Sequence, residues 1–250
     1  MIKAFYYGTS WHWPLDLVPR VMLSYNYIRH IKKPWKIDIP FMLDSGAFSI
    51  ILKEGKYIWE PKQYADAIEA WKPDIAWTMD YPCEPSVRAT GGYMPSEAQK
   101  LTDANTAKLL ELGSPVSNVL QGWTIDDYLH NLGTIRDDGL LTNHLGIGSV
   151  CRRGRTMEVA RIIRVIRRNV PGWVNLHAFG VKMQVLATDA RYHLHSADSG
   201  SWAYSFHGFA RNERNKEKKI IGLRRYMDAI EPLLRAPSTI LPIEMEATDV

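Results

Sequence analysis

Three aspartates that follow apolar segments are the residues in this sequence best able to do chemistry. Asp44 comes after Phe-Met-Leu, Asp80 after Ile-Ala-Trp-Thr-Met, and Asp198 after Leu-His-Ser-Ala. One such aspartate alone is most often a helix cap, because its side chain satisfies free N–H groups of the next helix. Three of them at the ends of neighbouring strands favour a shared pocket lined by carboxylates.

Glycines and polar residues follow the other apolar segments in the same way. Gln121-Gly122 ends one segment, Gly146-Ile147-Gly148 ends the next, and His177-Ala178-Phe179-Gly180 ends a third. Taken singly, each of these motifs indicates a tight turn. Because all of them fall at predicted strand ends, as the aspartates do, they predict one pocket that combines carboxylates, an amide side chain and flexible backbone.

Short segments rich in β-forming residues carry these groups, and longer segments separate them. We predict strands at residues 5–8, 40–43, 75–79, 116–120, 144–147, 174–178 and 192–196. First-turn proline or aspartate and helical apolar spacing predict helices within residues 61–71, 124–129, 155–169 and 218–234.

The alternation of strand and helix predicts a parallel α/β sheet. Seven strands are evident, and an eighth within residues 202–208 would close a single-domain (β/α)8 TIM-type barrel over residues 1–236, followed by a C-terminal tail at 237–250. An open doubly wound sheet is the alternative. In both folds the catalytic groups project from the C-terminal ends of the strands, which is where the candidate residues fall.

The composition excludes several classes of protein. Of the 250 residues, 46% are hydrophobic and 23% are charged, which is typical of a globular protein and not of a disordered one. Cys83 and Cys151, without a CxxC pair, predict neither a disulfide framework nor a cysteine-rich zinc site. The net charge of +4 is weak support for a polyanionic partner. Because no signal peptide and no membrane-spanning apolar run is evident, we expect a cytoplasmic protein without membrane contact.

The ordered set of motifs resembles the tRNA-guanine transglycosylase superfamily. The motifs are Asp44-Ser45-Gly46-Ala47-Phe48, Asp80, Leu120-Gln121-Gly122, Gly146-Ile147-Gly148, His177-Ala178-Phe179-Gly180-Val181 and Ala197-Asp198-Ser199. Within the superfamily the chain looks most like the compact DNA-guanine transglycosylase (DpdA) branch, which inserts 7-deazaguanines into DNA. The tRNA enzymes carry a zinc site near the C-terminus, and no cysteine follows Cys151 here, so DNA is favoured over tRNA. Ala47 replaces the second glycine of the usual motif.

The resemblance implies exchange of a base at C1′ of a nucleotide, with retention of configuration and a covalent intermediate. It implies that Asp198 is the nucleophile and that Asp44 transfers protons to the departing guanine and from the incoming base. The substrate-binding residues would be Ser45, Asp80, Gln121, Gly122, Gly146, Gly148, His177 and Gly180. No cofactor is expected and no metal; His193 and His195 alternate beside Asp198, but buried strand histidines ordinarily form hydrogen bonds only.

The expected partners are DNA and a free 7-deazaguanine base of the preQ0 type, with tRNA as the alternative nucleic acid. Phosphate contacts are expected from a basic group after the fifth predicted strand and from one residue near the end of the chain: Arg152, Arg153, Arg155 and Arg211. Trp123, Phe179 and Trp202 are candidates for stacking on the base, and core packing is their competing interpretation. A tRNA enzyme, a glycosyl hydrolase and an inactive nucleic-acid-binding barrel stay open as functions, and the oligomeric state is open as well.

Overall fold

Eight parallel strands pair with one another in chain order, and the last pairs with the first, so that the sheet closes on itself. The computed structural model describes residues 2–9, 15–202 and 216–235. Within them the strands are β1 (Ala4–Thr9), β2 (Val21–Ser24), β3 (Phe41–Asp44), β4 (Ile75–Trp77), β5 (Val116–Leu120), β6 (His144–Ile147), β7 (Asn175–Ala178) and β8 (Ser196–Ser199). This ring confirms the predicted α/β fold, a single-domain (β/α)8 TIM-type barrel.

Helices surround the strands. In the described residues they are α1 (Tyr25–Ile28), α2 (Ala47–Glu54), α3 (Pro61–Trp71), α4 (Pro85–Arg88), α5 (Pro95–Glu111), α6 (Ile125–Asp137), α7 (Thr156–Asn169), α8 (Met183–Leu186) and α9 (Lys216–Arg235), with short 3₁₀ segments at Leu15–Leu17 and Asp189–Tyr192. All four predicted helices are confirmed. Across the described ranges, no helix combines the length and the apolar character that a membrane crossing requires.

The start of α6 shows how local sequence fixes a loop of the barrel. Thr124 and Asp127 form a capping box, in which the Asp127 carboxylate accepts a hydrogen bond from the Thr124 N–H at 2.7 Å. The same carboxylate accepts one from the Trp123 N–H at 2.9 Å. These bonds satisfy backbone donors that the first helical turn leaves free. They therefore fix the short loop between the end of β5 and α6, which carries Gln121 and Gly122.

The strand assignment differs from the prediction at three places. β2 is missing from the predicted set, because it runs directly into α1 and no turn residues lie between them to mark its end. The last strand is Ser196–Ser199 and not residues 192–196, since Asp189–Tyr192 forms a 3₁₀ segment. The ring is complete without a strand from residues 202–208, because β8 takes the eighth place that the prediction gave to that segment. Beyond Trp202 that segment lies outside the described residues, as does the predicted tail at 237–250.

Apolar side chains fill the barrel beneath its C-terminal rim. One residue from each of the first five strands contributes to a buried interior cluster: Tyr6, Met22, Met42, Trp77 and Val119. Phe179 packs against this cluster, with its ring centroid 5.0 Å from that of Trp77. A larger apolar core lies between the strands and the helices. The barrel is thus packed through its centre, and its rim is the place for a substrate.

Candidate active site

The three aspartates lie on the same rim of the barrel. Asp44 is the last residue of β3, Asp80 follows β4, and Asp198 lies within β8. Their charges act on one another: Asp198 contributes to a raised pKa of Asp44, and Asp44 contributes to a raised pKa of Asp80. The structure therefore brings together the carboxylates that the strand ends predicted.

Asp44 is set up to hold and release a proton near neutral pH. Burial, with the nearby Asp198 as a second cause, raises its pKa from 3.8 to about 7. Backbone hydrogen bonds oppose this rise, among them one from the Gly46 N–H to Asp44 Oδ2 at 2.9 Å. A carboxyl group with a pKa near the working pH is the efficient form of a general acid and base.

Asp198 is held by one of its two carboxylate oxygens. Oδ1 accepts a hydrogen bond from the Gly180 N–H at 2.9 Å and lies 3.3 Å from His177 Nε2. The other ring nitrogen, Nδ1, lies 2.9 Å from Ser196 Oγ, so the imidazole is oriented from both sides. In the described part of the chain, Oδ2 of Asp198 accepts no hydrogen bond. These contacts therefore fix one oxygen and leave the second without a hydrogen-bond donor among the described residues.

Asp80 lies in a polar recess together with Ser45 and Gln121. Its Oδ1 accepts a hydrogen bond from Ser45 Oγ at 3.3 Å, and its Oδ2 accepts one from Gln121 Nε2 at 2.7 Å. Burial raises the pKa of Asp80 to about 8, with further contributions from Asp44 and Glu84. The Asp80 carboxyl can therefore be present with or without its proton near neutral pH.

Tyr57 is a site residue that the sequence did not indicate. Its hydroxyl donates to the Asp80 carbonyl oxygen at 2.7 Å and lies 2.9 Å from Ser45 Oγ. Burial raises its pKa, so the hydroxyl keeps its proton. Tyr57 lies in the loop between α2 and α3 and follows no strand, which is why a search of strand ends passes over it.

Two of the predicted glycines make room for neighbouring side chains. A Cβ on Gly148 would lie 2.5 Å from Gln121 Nε2, and a Cβ on Gly146 would lie 2.5 Å from Phe179 Cε2. Gly148 thus leaves space for the amide of Gln121, and Gly146 leaves space for a ring inside the barrel. The predicted contact of these glycines with a base stays a prediction.

Two further glycines shape the loops at the rim. A Cβ on Gly122 would lie 2.9 Å from the Tyr128 backbone nitrogen, so this position admits no side chain without movement of α6. Gly180 has φ +57°, in the left-handed region that favours glycine, and its N–H reaches Asp198.

The basic group after β6 divides into one buried and two exposed residues. Arg153 is 2% exposed; its Nε donates to the Ser149 carbonyl at 3.1 Å and Nη2 to that of Trp123 at 2.7 Å, while Nη1 pairs with Glu158. The predicted phosphate contact of Arg153 does not fit these bonds, because the guanidinium is used inside the protein.

Arg152 and Arg155 are exposed and remain available to a polyanion. Arg152 also stacks over Phe48, with its Cζ 4.6 Å from the ring centroid. Arg211 lies outside the described residues. The Trp202 indole is buried and donates to the Gly8 carbonyl at 2.8 Å, so core packing is the interpretation that holds for it.

The histidines considered as metal ligands have their described contacts with residues other than Asp198. His193 lies 3.8 Å from Asp189, and the ring of His195 lies 6.0 Å from that of His144. Within residues 2–9, 15–202 and 216–235, no three side chains of the metal-binding types form a cluster.

Comparison with known proteins adds one finding. A family model described as DpdA, DeoxyPurine in DNA protein A, matches residues 1–215, a range that includes every strand of the barrel and the whole site described above. Among curated proteins, none matches the chain.

Proposed function

The chain belongs to the DpdA family, DeoxyPurine in DNA protein A, and from this membership we propose that it exchanges guanine in DNA for a free 7-deazaguanine base of the preQ0 type. The family places the protein among transglycosylases that modify DNA. The observation that carries the finer proposal is the pairing of Asp198, whose Oδ2 accepts no hydrogen bond from the described residues, with Asp44, whose pKa is about 7.

These two carboxyl groups suit a double displacement at C1′. Oδ2 of Asp198 attacks C1′ of the nucleotide, the C1′–N9 bond breaks, and Asp44 gives its proton to the departing guanine. The incoming base then loses its N9 proton to Asp44 and attacks C1′, which releases Asp198. Two inversions give net retention, as in retaining glycosidases.

Asp80 and Gln121 are the proposed contacts of the base. Guanine presents N1–H and an exocyclic amine as donors, which an ionised Asp80 accepts, and its O6 accepts from an amide N–H. Gln121 donates from Nε2 to Asp80 Oδ2, so this nitrogen lies on the side of the recess where the proposal places the base. Ser45, through its bond to Asp80, helps to hold the acceptor in place.

DNA must present its base outside the helical stack, because a base within a duplex cannot reach a carboxylate pair at a barrel rim. Arg152 and Arg155, exposed on the loop that follows β6, are the proposed phosphate contacts on this side. Arg153 stays outside the proposal, since its donors are used within the protein.

Exchange of labelled guanine or 7-deazaguanine into duplex DNA, single-stranded DNA and tRNA, with the wild type and Asp198→Asn side by side, tests the function. We expect incorporation into DNA only, and we expect the variant to lose at least about a thousandfold in rate and to form no covalent adduct. The amide oxygen introduced by this substitution can still accept from the Gly180 N–H, so the fold is retained.

Each result of this experiment has a definite meaning. Incorporation into tRNA would move the protein to the tRNA enzymes, and release of guanine without incorporation would make it a hydrolase. Equal exchange or equal adduct formation by Asp198→Asn would refute the nucleophile.

A further inference from the structure

Ser149, which follows β6, has an unusual backbone and an unusual set of partners. Its φ of +54° lies in the left-handed region, where the described chain has only one other non-glycine residue, Lys72. Its hydroxyl lies 2.7 Å from Gln121 Oε1 and 3.2 Å from Glu84 Oε2, and it accepts a hydrogen bond from the Cys83 N–H at 2.9 Å. A strained residue that is held in several directions at a rim is a candidate for a functional constraint.

The Ser149 hydroxyl has one proton and faces two acceptors. Oε1 of Gln121 has no proton to offer, so the short contact requires that Ser149 donate to it. The 3.2 Å contact with Glu84 is then a hydrogen bond only when Glu84 donates to Ser149 Oγ, which requires the acid form of Glu84. Glu84 is 1% exposed, and this burial raises its pKa. Its second oxygen accepts from Cys151 Sγ at 3.3 Å, so both carboxyl oxygens have partners.

We propose that Ser149 and Glu84 are positioning residues that fix the amide of Gln121 with its oxygen toward Ser149 and its Nε2 toward the base, so that the site selects an oxygen over an amine at position 6 of the incoming base. The inference rests on the proposed function, because it concerns the same base recess. It adds two residues, from the loops after β4 and β6, that touch neither the base nor C1′.

Asp80 cannot fix the amide by itself. As a carboxylate it accepts from Gln121 Nε2, as the structure has it, and as an acid it would donate to Oε1 of a rotated amide. With the pKa of Asp80 at about 8, both forms exist near neutral pH. Glu84, Ser149, Gln121 and Asp80 form a series of hydrogen bonds, and the proton on Glu84 sets its direction. With that proton in place, each residue donates to the next one toward Asp80.

The orientation of the amide has a direct consequence for base choice. Nε2 donates to O6 of a guanine-type base, whereas a rotated amide presents Oε1 and accepts from a 6-amino group. 7-Deazaguanine and 2,6-diamino-7-deazapurine differ in this group and in the N1 proton that goes with it. The ratio of their affinities therefore reports which end of the amide faces the base.

The experiment measures equilibrium binding of these two bases to the full chain by calorimetry, for the wild type, Ser149→Ala, Ser149→Gly and Glu84→Gln. We expect the wild type to prefer 7-deazaguanine. Both Ser149 variants should lose about tenfold or more of this preference, because the amide is free to rotate. Glu84→Gln should keep the preference within about threefold, since an amide N–H donates to Ser149 without a titrating proton.

The two Ser149 variants separate positioning from folding. Both substitutions remove the hydroxyl, but only glycine relieves the strain of the left-handed backbone conformation at this position. If the wild-type preference persists in both variants, or if glycine alone restores it, the positioning role is refuted. A wild type that binds neither base refutes the proposed function itself, which is a different result from an unchanged ratio.

Discussion

Asp44 and Asp80 keep carboxyl groups in surroundings that disfavour their charge. Burial is the largest cause for both, and the pKa rises to about 7 for Asp44 and to about 8 for Asp80. Such a rise means that the folded protein binds more protons than the unfolded chain between the two pKa values of each group. A raised carboxyl pKa thus couples the chemistry of the site to the stability of the whole protein.

Asp44→Asn should make stability less sensitive to pH. The stability that Asp44 contributes is complete below its unfolded pKa of about 3.9 and is lost as the pH rises through about 7, at up to about 1.4 kcal/mol per pH unit. The side chain is partly exposed, so we expect a smaller effect than the full shift would give. The free energy of unfolding of the wild type, relative to that of the variant, should fall by about 2 kcal/mol from pH 5 to pH 8. Urea unfolding at both pH values measures this difference.

Asp127→Asn provides the control of opposite sign. Burial alone would raise the pKa of Asp127, but backbone hydrogen bonds from Thr124 and Trp123 lower it below 3.8. The free energy of unfolding of the variant should therefore be about 1 kcal/mol lower than that of the wild type, and this difference should be the same at pH 5 and pH 8. If the difference in free energy of unfolding between the wild type and Asp44→Asn is also the same at pH 5 and pH 8, the pKa of Asp44 is not raised.

At the scale of residues, sequence predicts that groups following strands share a rim, but it does not show which distant residues each side chain contacts. Asp44, Asp80 and Gln121 are predictable because the carboxyl ends of parallel strands share a rim. Tyr57 and Ser149 act through contacts with residues 23 and 28 positions away, which no local pattern records. A run of arginines likewise gives no sign of which member is buried.

At the scale of elements, the junction of β3 and α2 positions Asp44. Gly46, the N-cap of α2, has φ +83°, and a Cβ there would lie 2.5 Å from Ser24 Oγ. Ser24 is the partner of Asp44 in the β2–β3 register, so the glycine lets α2 start against the neighbouring strand. This close approach is visible only once β2 is known, and β2 is the strand that the sequence failed to reveal.

Gly46→Ala should be much more harmful than Gly55→Ala, its counterpart at the other end of α2. Gly55 has φ +72°, and a Cβ there meets nothing within 4 Å, so this variant should lose only the left-handed cost of about 1 kcal/mol. Gly46→Ala adds a clash, so its free energy of unfolding should fall by about 3 kcal/mol or more, and exchange activity should be lost as well. Urea unfolding of both variants decides the matter, and equal losses would contradict the packing argument.

The remaining elements were predictable to different degrees. α3 and α7 have first-turn and apolar patterns strong enough to give their bounds almost to the residue. β8 lies a few residues later than expected, because the apolar alternation before it belongs partly to a 3₁₀ segment. Closure of the barrel depends on long-range pairing of β8 with β1, so a count of local strand signals could only suggest it.

At the scale of the whole molecule, affinity for DNA depends on where exposed charge lies around the rim. Arg152 and Arg155 follow β6 and are exposed near the site, whereas Arg136 is exposed in the last turn of α6, toward the opposite end of the barrel. Contacts with phosphates release bound cations, so each contact makes affinity more dependent on salt. The same net charge can therefore have different effects at the two ends.

The double variant Arg152→Ala/Arg155→Ala should bind DNA with a weaker dependence on salt. Loss of two phosphate contacts should flatten the plot of log affinity against log salt by about 1.8 for duplex DNA, or by about 1.4 for a single strand. Fluorescence anisotropy with labelled DNA at several salt concentrations gives the slope. Arg136→Ala should leave it unchanged, and an equal effect of the two substitutions would show that the rim is not the contact surface.

The pairing of Tyr6 in β1 with Asp198 in β8 has a consequence for how the protein is made. A ribosome releases β1, β3 and β4 long before β8, so Asp44 and Asp80 exist in the growing chain without their third carboxylate. Asp198 reaches them only when the last strand of the ring docks beside the first. In the proposed mechanism, an incomplete translation product lacks the nucleophile for C1′, so the proposed exchange requires the finished barrel.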